Sequence, residues 1–374
     1  MKMKKKLLLT MLIGVLCFTS LFAGGQQECE SFLPTDPGNV SDSITITDSK
    51  GREVTVNLPV ERIAFSHFAT GEALKIVDAW DMVVGRDSFT SDRTIFPNLD
   101  EIPLISGMSV YELNYEKIFE MDVDLFIAVD IPMPGFNEMV SKLEPDIPVV
   151  TLNFHEPSTM KENIEKLGLL LGREKEAEEY SRWYEKLIGE MIRKTEVLDE
   201  SDKPSLFYKT GWGGIDDIQT FTDDFTAIPE RNMLTGCINT AANLLSAGGW
   251  VQAVDPEWLA AQNVDILVVC EPSQKGYGTG VDDETVIRQN REQIIKHSVF
   301  NGFDAVKNNR VYMIAGEFFG TPRFIIGFSY MAKWFHPELF SDFDPKAIHQ
   351  DYLTRFMRID YDLNEHGVFV YPEE

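Results

Sequence analysis

The stretch "NYEKIFEMDVDLFIAV" at 114–129 returns as "DPEWLAAQNVDILVVC" at 255–270. Aligned without gaps, Glu116 meets Glu257, Val123 meets Val264 and Asp124 meets Asp265, and the apolar and polar positions around them are kept. The offset of 141 residues is too long for a solenoid or propeller repeat. It is the length of a domain, so the chain is constrained to use one domain-sized unit twice.

Each copy reads as a helix running into a strand. Asn114 or Asp255 caps the helix, Tyr115 or Pro256 takes its first position, and a glutamate follows. The helix macrodipole favours acidic residues there, so this placement also has a purely structural reading. "DLFIAV" is apolar without alternation, as in a strand covered on both faces. Strands and helices alternate through both halves, which predicts an α/β fold of two similar lobes with central, mainly parallel sheets. "SITITDSKGREVTVNLP" (43–59) adds a hairpin turning at Ser49–Gly51.

Residues 158–198 differ. A helix over "STMKENIEKLGLLLG" stops at Gly172, and "REKEAEEYSRWYEKLIGEMIRKTEVL" follows, with Ala177, Tyr180, Tyr184, Leu187, Met191 and Val197 on one face. Its 26 residues would run about 39 Å as one helix, a stiff strut between the halves. The expected organisation is an export leader over 1–25, a flexible tether over 26–42, a first lobe over 43–157, connecting helices over 158–198, a second lobe over 199–335, and a closing helix and tail over 336–374. The acidic end "DYDLNEHGVFVYPEE" fits no element in this reading.

Basic "MKMKKK" precedes an apolar run, "LLLTMLIGVLCFTSLF", that is short for a membrane span. Ala23 and Gly25 satisfy the small-residue rule for cleavage near Gln26; the alternative is a retained anchor. Cys17 follows Leu16 and Cys29 follows Glu28, so neither makes a good lipid-attachment site. The mature chain is expected outside the cytoplasm, in the periplasm or on the outer face of the membrane. Its formal charge of −26 becomes −30 without the four leader lysines, which argues against nucleic acid or anionic lipid as a partner. Cys29, Cys237 and Cys270 are odd in number and scattered, which predicts no disulfide framework.

Enzyme signatures are scarce. The chain has no G-x-S-x-G, no Walker phosphate loop and no H-E-x-x-H, and "GYGTG" (276–280) has the wrong spacing for a dinucleotide fingerprint. The six histidines show no zinc spacing; His67 directly follows the first buried strand, where α/β sheets bind ligands.

The chain resembles the periplasmic substrate-binding proteins of ABC importers for iron–siderophore, haem and cobalamin, whose lobes are joined by one rigid helix. The resemblance rests on "ITDSKGREVTVNLPVERIAF", "LNYEKIFEMDVDLFIAV", "LGLLLGREKEAEEYSRWYEKL", "DPEWLAAQNVDILVV", "FNGFDAVKNNRVYMI" and "MAKWFHPELF", in that order. It implies a monomeric, non-enzymatic binding protein without a resident cofactor, working with a permease dimer and carrying a small-molecule metal chelate. It also implies that Glu116 and Glu257 dock against permease arginines. The ligand would lie between the lobes. Loops after predicted strands nominate His67, Phe68, Asp130, Met133 and Phe136 from the first lobe, and Lys209, Trp212, Glu271, Tyr277, Phe318 and Arg323 from the second. Aromatics would pack on an organic shell, while Lys209 or Arg323 would neutralise an anionic complex. "GWGGIDDIQTFTDDFTAIPERNMLTG" carries no ligand signature, so capture of a free metal ion or oxyanion stays open, as does an exported enzyme on the same plan.

Overall fold

The computed structural model describes residues 42–373, apart from Met108, Pro132, Pro145, Trp212, 224–226, 245–251 and 272–275. The expected leader and nearly all of the expected tether lie outside the described residues.

Strands β1 (Ser43–Thr47) and β2 (Glu53–Asn57) form the expected hairpin, whose alternation turns Ile46, Val54 and Val56 inward. Asp48 closes its turn by accepting from the Lys50 and Arg52 backbone N–H groups, and Gly51 takes the positive φ of 74°. The first lobe then follows: β3 (Ile63–Phe65), α1 (Phe68–Ile76), β4 (Val83–Gly85), α2 (Tyr115–Glu120), β5 (Leu125–Ala128), α3 (Phe136–Leu143) and β6 (Val149–Thr151). Its four strands are all parallel, in the order β4-β3-β5-β6. Alternate residues of these strands face two separate cores: Ile63, Phe65, Leu125 and Ile127 on one side, Ala64, Phe126 and Ala128 on the other. That two-sided burial is why the strands read as continuous apolar runs.

Helices α4 (Met160–Leu171) and α5 (Glu174–Thr195) connect the lobes. Gly172 ends α4 in the left-handed conformation, and a Cβ at Gly168 would lie 2.5 Å from that of Ala177, so the two helices meet at a glycine. The 22 residues of α5 run about 33 Å. Five of the six expected face residues are buried; Val197 lies beyond the helix end and is 69% exposed, which corrects its assignment.

The second lobe comprises β7 (Ser205–Thr210), β8 (Gln219–Thr220), α6 (Ile228–Thr235), β9 (Ile238–Asn239), β10 (Gln252–Ala253), α7 (Pro256–Ala260), β11 (Ile266–Glu271), α8 (Thr285–Lys296), α9 (Asp304–Lys307), β12 (Val311–Ala315), α10 (Glu317–Gly320) and α11 (Phe324–Phe335). Helix α12 (Pro345–Arg355) and strand β13 (Val370–Tyr371) complete it. The main sheet is ordered β13-β12-β11-β7-β9, parallel except for β13. The acidic end thus supplies an antiparallel edge strand rather than a separate tail.

The sequence repeat has a structural counterpart. In each lobe the first strand lies between the second and third, with the fourth outside. Asn114 and Asp255 both cap, accepting from Lys117 and Trp258 at 3.0 and 2.7 Å. Asp124 accepts from the Glu61 and Arg62 N–H groups ahead of β3, and Asp265 accepts from the Ser205 N–H at the start of β7. The repeated aspartate therefore pins the start of the neighbouring strand in both lobes.

Across the lobes, Glu72 of α1 receives Arg323 in a buried ion pair at 2.8 Å and also accepts from the Tyr352 hydroxyl of α12. Arg358 caps the last carbonyls of α1, at Lys75 and Ile76. Removing one partner strands a buried charge. Glu72→Ala or Arg323→Ala is therefore expected to lose about 3–5 kcal/mol in urea unfolding, and Glu72→Leu with Arg323→Met far less than the sum of the single losses.

Candidate functional site

The loops after β3 and β6 face α6 of the second lobe. His67, two residues after β3, caps α1 by accepting the Ala69 N–H on Nδ1 at 3.3 Å, and its ring lies 4.3 Å from that of Phe68. His155, in the loop after β6, brings its ring to 5.9 Å from His67. Opposite them, Arg231 of α6 uses Nη2 to donate to the Phe319 carbonyl at 2.6 Å and the His155 carbonyl at 3.2 Å, so it touches both lobes. Its guanidinium also lies 5.6 and 5.5 Å from the rings of Phe319 and Phe328.

Native proteins pair nearly all buried polar atoms. Here the hydroxyls of Ser66, Thr70, Thr151 and Thr210, His155 Nδ1, and Arg231 Nε and Nη1 are buried without a partner in the protein. Most sit at or just beyond the carboxyl ends of parallel strands, where open α/β sheets bind ligands. Burial pulls Arg231 down to about 10, which leaves it charged near neutral pH. Burial, then His155, holds His67 down at about 3, and burial, then Arg231, holds His155 down at about 4, so both rings are neutral there.

The nominated residues fall into groups. Phe68 is half-buried, and a Cβ at Gly320 would lie 3.0 Å from its ring, so it too spans the lobes. Asp130 is paired with Lys50, and Phe136 lies under Lys50 and Arg52 at 4.6 and 5.3 Å, at the tip of the hairpin. Met133 is half-buried against the core on that side. Glu271 ends β11 and accepts from Asn290 at 2.9 Å, with Tyr277 buried beside it. Lys209 is buried and donates to the Thr210 and Gly214 carbonyls. Trp212 lies outside the described residues.

Two placements correct the expectation. Phe318 is wholly buried among Tyr330, His349 and Phe369 inside the second lobe, and Arg323 is committed to Glu72 and Glu317. His155 and Arg231 were missed. His155 stands just past the predicted strand "IPVVTLNF", so the loop rule that picked His67 would also have picked it. Arg231 lies within a helix and carries no local signal.

Chemically, the arrangement offers a dry cation with unused donors, two neutral imidazoles and an aromatic wall. Among the described residues no three His, Cys, Asp or Glu side chains are grouped to hold a metal ion. Burial pushes the Cys237 thiol up to about 12 and raises that of Cys270 as well, so neither is a ready nucleophile.

Below the unfolded histidine value of about 6.5, the unfolded chain takes up protons that buried His67 and His155 refuse. Stability should therefore fall as pH drops from about 6.5 towards about 4, by at most about 1.4 kcal/mol per pH unit for each ring. His67→Asn with His155→Gln is expected to flatten that slope in urea unfolding measured across this range.

A family model for periplasmic binding proteins matches residues 63–317. An uncharacterized ABC transporter substrate-binding lipoprotein of Bacillus subtilis, YvrC, is 24% identical over 303 residues, covering 80% of this chain and 87% of that protein. The iron-uptake system-binding protein of the same organism is 29% identical over 214 residues, covering 56% of this chain and 64% of its own. Among solved structures, the TroA-like periplasmic binding protein FepB from Veillonella parvula superposes with a TM-score of 0.74 at 19% identity, over 87% of this chain and 99% of that one. No helix among the described residues is long and apolar enough to cross a membrane. The chain belongs to the periplasmic binding protein family, and its place is that of the substrate-binding protein of an ABC transporter.

Proposed function

We propose that this protein captures an anionic metal chelate of the ferric siderophore type between its lobes and delivers it to the permease, without catalysing a reaction. The observation that carries this reading is Arg231: a buried guanidinium with two donors unused, facing both lobes. A permanently charged fork in a dry site favours an anionic oxygen-rich group. Phe68 and Phe319 would pack on an organic shell, and His67 and His155 would hydrogen-bond at its edge. The described residues hold no ready-made metal cluster, so the metal would arrive with its own ligands. The relative named for iron uptake supports iron as that metal. Haem and cobalamin come behind.

Delivery would use Glu116 and Glu257. Both are exposed, and neither has an ion pair among the described residues.

Thermal unfolding of the mature chain with ferric catecholate and hydroxamate chelates, haem, cobalamin, bare divalent ions and molybdate tests the ligand. A chelate at 100 times its dissociation constant should add about 2.7 kcal/mol, and Arg231→Met should remove most of that gain. A shift with molybdate or bare ions alone would replace the chelate by an ion, and no shift at all would return the exported enzyme to consideration. Separately, Glu116→Arg with Glu257→Arg is expected to abolish uptake in cells while leaving the ligand-induced melting shift intact.

A further inference from the structure

The first lobe carries a groove of about 780 Å³ beside the start of α2. Leu104, Gly107, Tyr111, Tyr115 and Pro134 line it, and Glu112 and Glu138 stand on its edge. Its shape is held from several sides. Lys117 ties α2 to the Leu104 carbonyl at 3.0 Å, Lys142 lies 4.5 Å over the Tyr115 ring while paired with Glu138, and Tyr111 anchors its hydroxyl on the Val129 carbonyl at 2.7 Å. Leu104, on the groove wall, is 45% exposed.

The groove adjoins Glu116, which directly follows Tyr115. Glu112 and Glu116 are both exposed and without ion pairs among the described residues. The repeat makes the feature lobe-specific: in α7, Pro256 stands where Tyr115 does, and Ala260 where Phe119 does.

Building on the docking reading of Glu116, we propose that this groove seats an extracytoplasmic permease segment carrying a basic side chain next to a bulky apolar one. The basic group would meet Glu112 and Glu116, and the apolar one would enter between Leu104 and Tyr115. Charge complementarity selects such an occupant: unpaired Glu112 and Glu116 repel an acidic segment, and a purely polar one would leave exposed Leu104 uncovered. The two lobes would then grip the permease by unequal means, charge with apolar burial on one side and charge on the other.

In-cell photo-crosslinking tests this, with a benzophenone side chain introduced singly at Leu104, Glu116, Glu257 or, as a control remote in sequence on α4, Leu169. Leu104 and Leu169 are both already exposed, so neither position demands refolding. Adducts to the permease membrane subunit are expected from Leu104, Glu116 and Glu257 and not from Leu169. Gly107→Trp, at a position with open space around its Cβ, should fill the groove and cut the Glu116 adduct and uptake about tenfold while the melting temperature holds. Adducts from Glu116 and Glu257 with none from Leu104, and no effect of Gly107→Trp, would overturn the groove and leave the docking reading standing. No permease adduct from any of these positions would overturn both.

Discussion

Glu72 and Arg323 hold the two lobes at a fixed pose. A helix from the first lobe presents a carboxylate, Arg323 just ahead of α11 presents a guanidinium, and Tyr352 of α12 donates to the carboxylate. None of these groups could stay buried and charged alone. Other contacts also join the lobes: Phe68 against Gly320, Arg231 reaching to His155, and Arg358 on the end of α1.

The ligand site follows from that pose. Buried polar atoms without a protein partner lie on or just after β3, β6 and β7 and in α1 and α6, so both lobes supply them. Arg231 donates to a carbonyl of each lobe, so the candidate site lies where the lobes touch.

What the sequence made legible was local. Caps at Asn114 and Asp255, the Gly172 stop, the hairpin turn and the buried strands each depend on neighbours within a few residues, and each was found. The repeated Asp124 and Asp265 were visible as a coincidence whose cause, pinning the adjacent strand, appears only in three dimensions. Distant pairing hid the rest. Arg323 looked available because Glu72 lies 251 residues away, and Phe318 looked like a loop aromatic because its partners in α11, α12 and the final strand arrive later in the chain. Arg231 has no local pattern at all. Strand-end residues such as His67 and Phe68 were legible because α/β topology puts all such loops on one face.

The same separation has a temporal side. Without residue 323 in place, the Glu72 carboxylate on α1 has no buried partner and keeps its water. Only when α11 and α12 appear can that carboxylate be dehydrated and the lobes drawn together. The surface between the lobes is therefore complete only once the late half of the chain has packed against the early half.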